Sequence, residues 1–144
     1  MRLYNTAFLL CFLPMAALAQ AGPGMHFVES WDLDGDGAVT LAEVTERRGD
    51  VFYTFDADEN GVLDATEYAT FDEARAADMA DNAKGHTKAA TPIQQGMTRA
   101  FNDLDGDGNV SREEFMQRAS DWFKVIDRNA DHKITRDDFG PSNT

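Results

Sequence analysis

The sequence predicts an all-α protein made of two pairs of short helix–loop–helix units. Three observations lead there. An acidic twelve-residue pattern occurs four times, beginning at Asp32, Asp56, Asp103 and Asp127. Apolar residues at helical spacing flank each copy. At 42% hydrophobic and 27% charged residues, the chain is too apolar to be a disordered acidic tail.

Charge and cysteine content narrow the function classes. Asp plus Glu number 26 against 13 Lys plus Arg, a net charge of −13 that opposes association with nucleic acid or an anionic membrane. Metal cations, a basic polymer or a cationic surface are the compatible partners. The single cysteine, Cys11, makes no intramolecular disulfide and no thiolate metal site.

The first segment reads as an address. Met1-Arg2 gives a positive start, Phe8 to Leu13 an apolar run, and Ala17-Leu18-Ala19 a small-x-small cleavage site before Gln20. Residues 1–19 are therefore expected to be a cleaved secretory signal. The run falls short of the roughly 20 apolar residues of a spanning helix, and Pro14 interrupts it. Leu10 before Cys11 argues against a lipid anchor. Removal leaves no membrane span, and the destination is the periplasm or the exterior.

The repeats organise what remains. Starts are 24 residues apart within each pair, and Asp56 to Asp103 spans 47, which gives two halves of two repeats. The halves are expected at residues 25–80 and 93–144. Between them, residues 81–92, with Gly85 and Pro92 and no apolar periodicity, read as a solvated linker.

The repeat spacing suits a hard dication. Calcium takes about six to eight oxygens, and a twelve-residue loop wraps it with side-chain oxygens at positions 1, 3 and 5, a carbonyl at 7, often a water-bridged group at 9 and a bidentate carboxylate at 12. The first loop offers Asp32, Asp34, Asp36, the Ala38 carbonyl, Thr40 and Glu43, with Gly37 at the sharp turn. The second offers Asp56, Asp58, Asn60, the Val62 carbonyl, Asp64 and Glu67, with Gly61 at the turn. The third offers Asp103, Asp105, Asp107, the Asn109 carbonyl, Ser111 and Glu114, with Gly108 at the turn. All three match D-x-[DN]-x-[DN]-G-x₅-E in full.

These loops resemble those of the EF-hand calcium-binding superfamily, and their close spacing with a signal peptide resembles secreted bacterial proteins carrying four EF-hands. The resemblance implies two EF-hand pairs binding three to four calcium ions. The fourth loop departs from the pattern. Asp127, Asn129, Asp131, the Lys133 carbonyl and Thr135 hold their positions, but His132 replaces the turn glycine and the shorter Asp138 replaces the final Glu. Two readings stay open: a weak site, suited to magnesium, or a loop kept only for pairing.

The flanks set further expectations. Val28 and Trp31, Phe52 and Phe55, and Phe123 and Ile126 mark incoming helices; Met97, Ala100 and Phe101 mark the third, whose polar Asn102 implies a different angle. Val44, Tyr68, Phe115 and Phe139 begin outgoing helices, although Gly140-Pro141 leaves the last almost absent. The EF-hand resemblance implies short antiparallel β contacts between paired loops at the eighth loop position, Val39 with Leu63 and Val110 with Ile134. Only twelve residues, 44–55 and 115–126, separate the loops of each pair. A turn is expected at Arg48-Gly49-Asp50; the second half lacks a breaker, so residues 115–126 form either one continuous helix or, the favoured reading, two helices with a turn near Ala119-Ser120-Asp121.

Competing motifs carry less. Arg48-Gly49-Asp50 spells an adhesion tripeptide, but reads better as an interhelix turn. His26, His86 and His132 lack the spacing of a zinc site. There is no nucleophile elbow, phosphate-cradling loop or catalytic histidine pair, so no enzyme is expected. The predicted function is calcium binding by an exported buffer or calcium-stabilised structural protein. The alternative is a calcium-responsive module for a partner protein or surface polymer.

Overall fold

The structure, a computed structural model, describes residues 24–82 and 90–140. The expected signal segment and the middle of the expected linker lie outside these residues. Helix α1 (Met25–Trp31) leads into the first loop and buries Phe27 and Val28. Helix α2 (Leu41–Phe55) leaves that loop through a capping box in which Thr40 and Glu43 satisfy each other's backbone N–H groups. It then leads directly into the second loop, so a single helix serves both.

The turn expected at Arg48-Gly49-Asp50 is absent. Val44, Arg48 and Phe52 recur every four residues on one buried face of α2. Burial of that face outweighs the cost of about 1 kcal/mol for a glycine inside a helix. Because Arg48 is buried, the tripeptide is not displayed either. In the second half the chain does break, at Arg118, between α6 (Arg112–Gln117) and α7 (Ala119–Ile126), one residue ahead of the expected turn.

Helix length decides which loops meet. Fifteen residues at 1.5 Å each make α2 about 22 Å long, which puts the first and second loops at opposite ends. The α6–α7 rod separates the third and fourth loops in the same way. The expected pairing is therefore corrected. Strand β1 (Val62–Leu63) runs antiparallel to β2 (Val110–Ser111), with Leu63 opposite Val110, and Val39 bridges Ile134. Second pairs with third, and first with fourth.

One hydrophobic core joins both halves, from Phe27 to Phe139. The four eighth-position residues are completely buried. Phe27 and Trp31 pack on Trp122, with Phe139 against Phe27, beneath the first and fourth loops, whereas Phe52 and Phe71 pack on Phe115, with Phe55 and Tyr68 against Phe71, beneath the second and third.

Helix α3 (Ala65–Asn82) leaves the second loop, and α4 (Ala90–Gln95) follows, so both ends of the expected linker are helical. The third loop's incoming helix is reduced to α5 (Arg99–Asn102), set off from α4 by a turn through Gly96-Met97-Thr98. There Ala100 is exposed, contrary to the apolar pattern, while polar Asn102 is completely buried. The fourth loop ends in a 3-10 turn, Arg136–Phe139, in agreement with the nearly absent outgoing helix. No helix among the described residues is long and apolar enough to cross a membrane.

Candidate metal centres

Each loop is held by its own carboxylates. In the first, Asp32 accepts from the Gly35 and Gly37 N–H groups at 2.7 and 2.8 Å, Asp34 from Asp36 N–H and Asp36 from Ala38 N–H. The Gly37 N–H is the main cause holding the Asp32 carboxyl below its ordinary value. Glu43 returns across the loop: one oxygen accepts from Leu33 N–H at 2.8 Å, the other from the N–H and hydroxyl of Thr40. Burial pushes the Glu43 carboxyl up, but these donors outweigh it and leave it lowered; Glu114 is lowered in the same way.

The pattern repeats. Glu67 accepts from Ala57 and Asp64 N–H, and Glu114 from Leu104 and Ser111 N–H. Position-seven amides donate to position-five side chains throughout: Val62 to Asn60, Asn109 to Asp107, Lys133 to Asp131. Thr40, Asp64, Ser111 and Thr135 at position nine act as helix N-caps, their side chains accepting from backbone N–H groups ahead.

In the fourth loop Asp138 does what the glutamates do. One oxygen accepts from Arg128 N–H at 2.9 Å, the other from Thr135 N–H at 2.8 Å. The tighter 3-10 turn offsets the missing methylene. His132 takes the glycine position at φ 67° and its N–H still reaches Asp127.

Each loop has a second left-handed residue, at position four, which the sequence reading missed. Gly35 and Gly106 fill it in the first and third loops, Glu59 (φ 56°) and Ala130 (φ 57°) in the others. The signal was present in the Asp-Gly-Asp-Gly runs, where glycine stands at both positions. The fourth loop alone has two non-glycine residues in that region.

Three groups of carboxylates bring ligand oxygens within 4.8 Å of one another: Asp32, Asp34 and Asp36; Asp56, Asp58 and Glu67; Asp103, Asp105 and Glu114. Among the described residues no Lys, Arg or His forms an ion pair with a loop carboxylate. Asp127, Asp131 and Asp138 do not form such a group. An oxygen-only donor set at this spacing fits a hard divalent cation.

Comparison with known proteins agrees. The model of the EF hand family matches residues 49–72 and 103–117, covering the second and third loops. No curated protein matches the chain significantly. The family match and the acidic clusters together suggest calcium binding.

Proposed function

We propose that the protein is an exported calcium binder, acting as a buffer or as a structural protein that calcium stabilises. The observation that carries this reading is the set of three close carboxylate groups, with which no Lys, Arg or His among the described residues forms an ion pair. Asp32, Asp34, Asp36 and Glu43, their counterparts in the second and third loops, and the carbonyls of Ala38, Val62 and Asn109 would hold the ions. Asp127, Asn129, Asp131, Lys133, Thr135 and Asp138 form the fourth, weaker site, with magnesium as an alternative ion. The residues' own contribution is pre-organisation: backbone N–H groups hold the carboxylates in place before a cation arrives, and for Asp32, Glu43 and Glu114 they also favour the ionised form.

Export rests on the signal-like segment at residues 1–19. Outside the cytoplasm, sites with dissociation constants near 10⁻⁴ to 10⁻³ M would stay largely occupied, which favours a structural role. The competing reading, a calcium-responsive interaction module, draws on a shallow groove along α2 lined by Leu41, Gly49, Tyr53 and Met116, where Tyr53 is 70% exposed. Calcium titration by calorimetry tests the proposal: binding at three or four sites is expected, and absence of binding overturns it. A large calcium-induced rise in hydrophobic-dye binding by the folded protein would favour the module instead.

A further inference from the structure

Among the described residues Arg48 is the least exposed charged residue. It is 0% exposed, and among the described residues no carboxylate pairs with it. Its donors are spent on neutral groups instead. Nε and Nη2 both donate to the Phe115 carbonyl, at 3.0 and 2.6 Å; Nη2 also donates to Asn102 Oδ1 at 2.5 Å, and Nη1 to the Gly96 carbonyl at 3.2 Å. The guanidinium lies over the Phe115 ring at 4.0 Å and within 5.3 Å of Trp122, between the two aromatic groups of the core. Burial lowers its pKa to about 10, which leaves it cationic at neutral pH.

A buried cation is costly, and an apolar residue of similar size commonly replaces one without loss of stability. What the apolar residue lacks is the rigid fork. The fork here spans the two ends of the third loop. Asn102 immediately precedes Asp103, its first ligand candidate, and Phe115 immediately follows Glu114, its last. Asn102 is itself fixed, its Nδ2 donating to the Thr98 carbonyl at 2.8 Å and to the Tyr68 hydroxyl at 3.1 Å, while Tyr68 donates to the Met97 carbonyl.

The other three loops are flanked by Trp31 and Val44, Phe55 and Tyr68, and Ile126 and Phe139. None has a polar residue like Asn102 before its first aspartate. The third also has the shortest incoming helix, the four residues of α5, too few to be stable without outside support.

We propose that Arg48, acting with Asn102, is the positioning residue that sets the calcium affinity of the third loop. This rests on the calcium-binding reading above. The fork fixes the distance between the backbone carrying Asp103 and that carrying Glu114, so the third loop is arranged for the ion before it binds.

The test follows each loop separately through the backbone amides of Gly37, Gly61, Gly108 and His132, which donate to the first aspartate of their own loops. Amide spectra are recorded on the full chain during calcium titration. In Arg48→Met the midpoint at Gly108 should rise at least about tenfold, the scale of lost charge-assisted hydrogen bonds. Gly37 should stay within about twofold, as expected for an uncoupled site. Arg48→Lys, which keeps the charge but not the fork, should fail to restore Gly108. Asn102→Ala should reproduce the selective shift, and it decides alone if Arg48→Met does not fold. An equal shift at all four amides, or none at Gly108, overturns the proposal. Wild-type amides that ignore calcium would refute the calcium-binding reading itself, a distinct result.

Discussion

Val39 and Ile134 exchange two backbone hydrogen bonds of 2.8 Å, tying the first loop to the last. With β1–β2 joining second to third, and the two helical rods joining first to second and third to fourth, the four loops form a closed circuit. Each loop is therefore connected to two others, one through a helix and one through a β contact. The calcium-saturated protein is expected to unfold in a single calorimetric transition. Two resolved transitions would show that residues 25–80 and 93–144 unfold independently despite their common core.

Chelation should weaken the fold strongly. Of 26 acidic residues, 18 lie within the four loops, where they repel one another without a cation. Ligand at about a hundredfold its dissociation constant adds about 2.7 kcal/mol per site. The melting temperature should accordingly fall on adding chelator and recover with calcium. An unchanged melting curve would refute the coupling.

Gly96 is required for close packing. A Cβ at this position would fall inside the Trp122 ring, and the ring cannot easily yield because its Nε1–H points at the carbonyls of Pro92 and Ile93, both at 3.2 Å. Gly96→Ala should cost about 1–3 kcal/mol, the usual range for overpacking. Adding Trp122→Phe should recover part of that loss relative to the sum of the single variants, as denaturant melts of the double-mutant cycle can measure. Simple additivity would place the strain elsewhere.

Acid should remove a defined contribution from Glu114. Its folded pKa lies below the ordinary value of 4.5: burial opposes this, but the Ser111, Leu104 and Asp105 N–H groups and the Ser111 hydroxyl outweigh it. A depressed carboxyl stabilises the fold above its unfolded pKa, and that stability is lost as pH falls through the folded value. In chelator, the melting-temperature gap between wild type and Glu114→Gln should therefore hold from pH 7 to 5.5 and narrow below about 4.5. A gap that widens on acidification would contradict the sign.

Local chemistry made the loops and their flanks legible. The spacing of Asp, Gly and Glu is a local property, and Val44, Tyr68, Phe115 and Phe139 are all buried as their positions suggest. The pairing was hidden because it depends on whether α2 bends at Gly49, and that depends on Arg48 being buried among residues 48 to 67 positions away. The break at Arg118 has the same origin. Phe115 carries the carbonyl that an uninterrupted helix would give to the Ala119 N–H, and Arg48 engages it with two donors. No composition around residue 118 signals this. Asn102 stood out in the sequence as a polar residue in an apolar position, but its partners lie on other elements.

The fourth loop offers the sharpest separation of backbone strain from ligand chemistry. Ala130 and His132 both occupy the left-handed region, at φ 57° and 67°, where a residue with a Cβ costs about 1–2 kcal/mol that glycine avoids. His132→Gly and Ala130→Gly should each raise stability in chelator and tighten calcium at this loop. Asp138→Glu should behave differently. From the sequence, a longer acid restores the usual final ligand; in the structure Asp138 is 1% exposed, and both its oxygens already accept backbone N–H groups within a 3-10 turn. An extra methylene must displace that turn, so Asp138→Glu is expected to lower the melting temperature in chelator while the glycine variants raise it. Amide titration of residue 132 and thermal melts of the three variants provide the comparison. Equal tightening by Asp138→Glu without loss of apo stability would show that carboxylate length, rather than the left-handed backbone, limits the fourth loop.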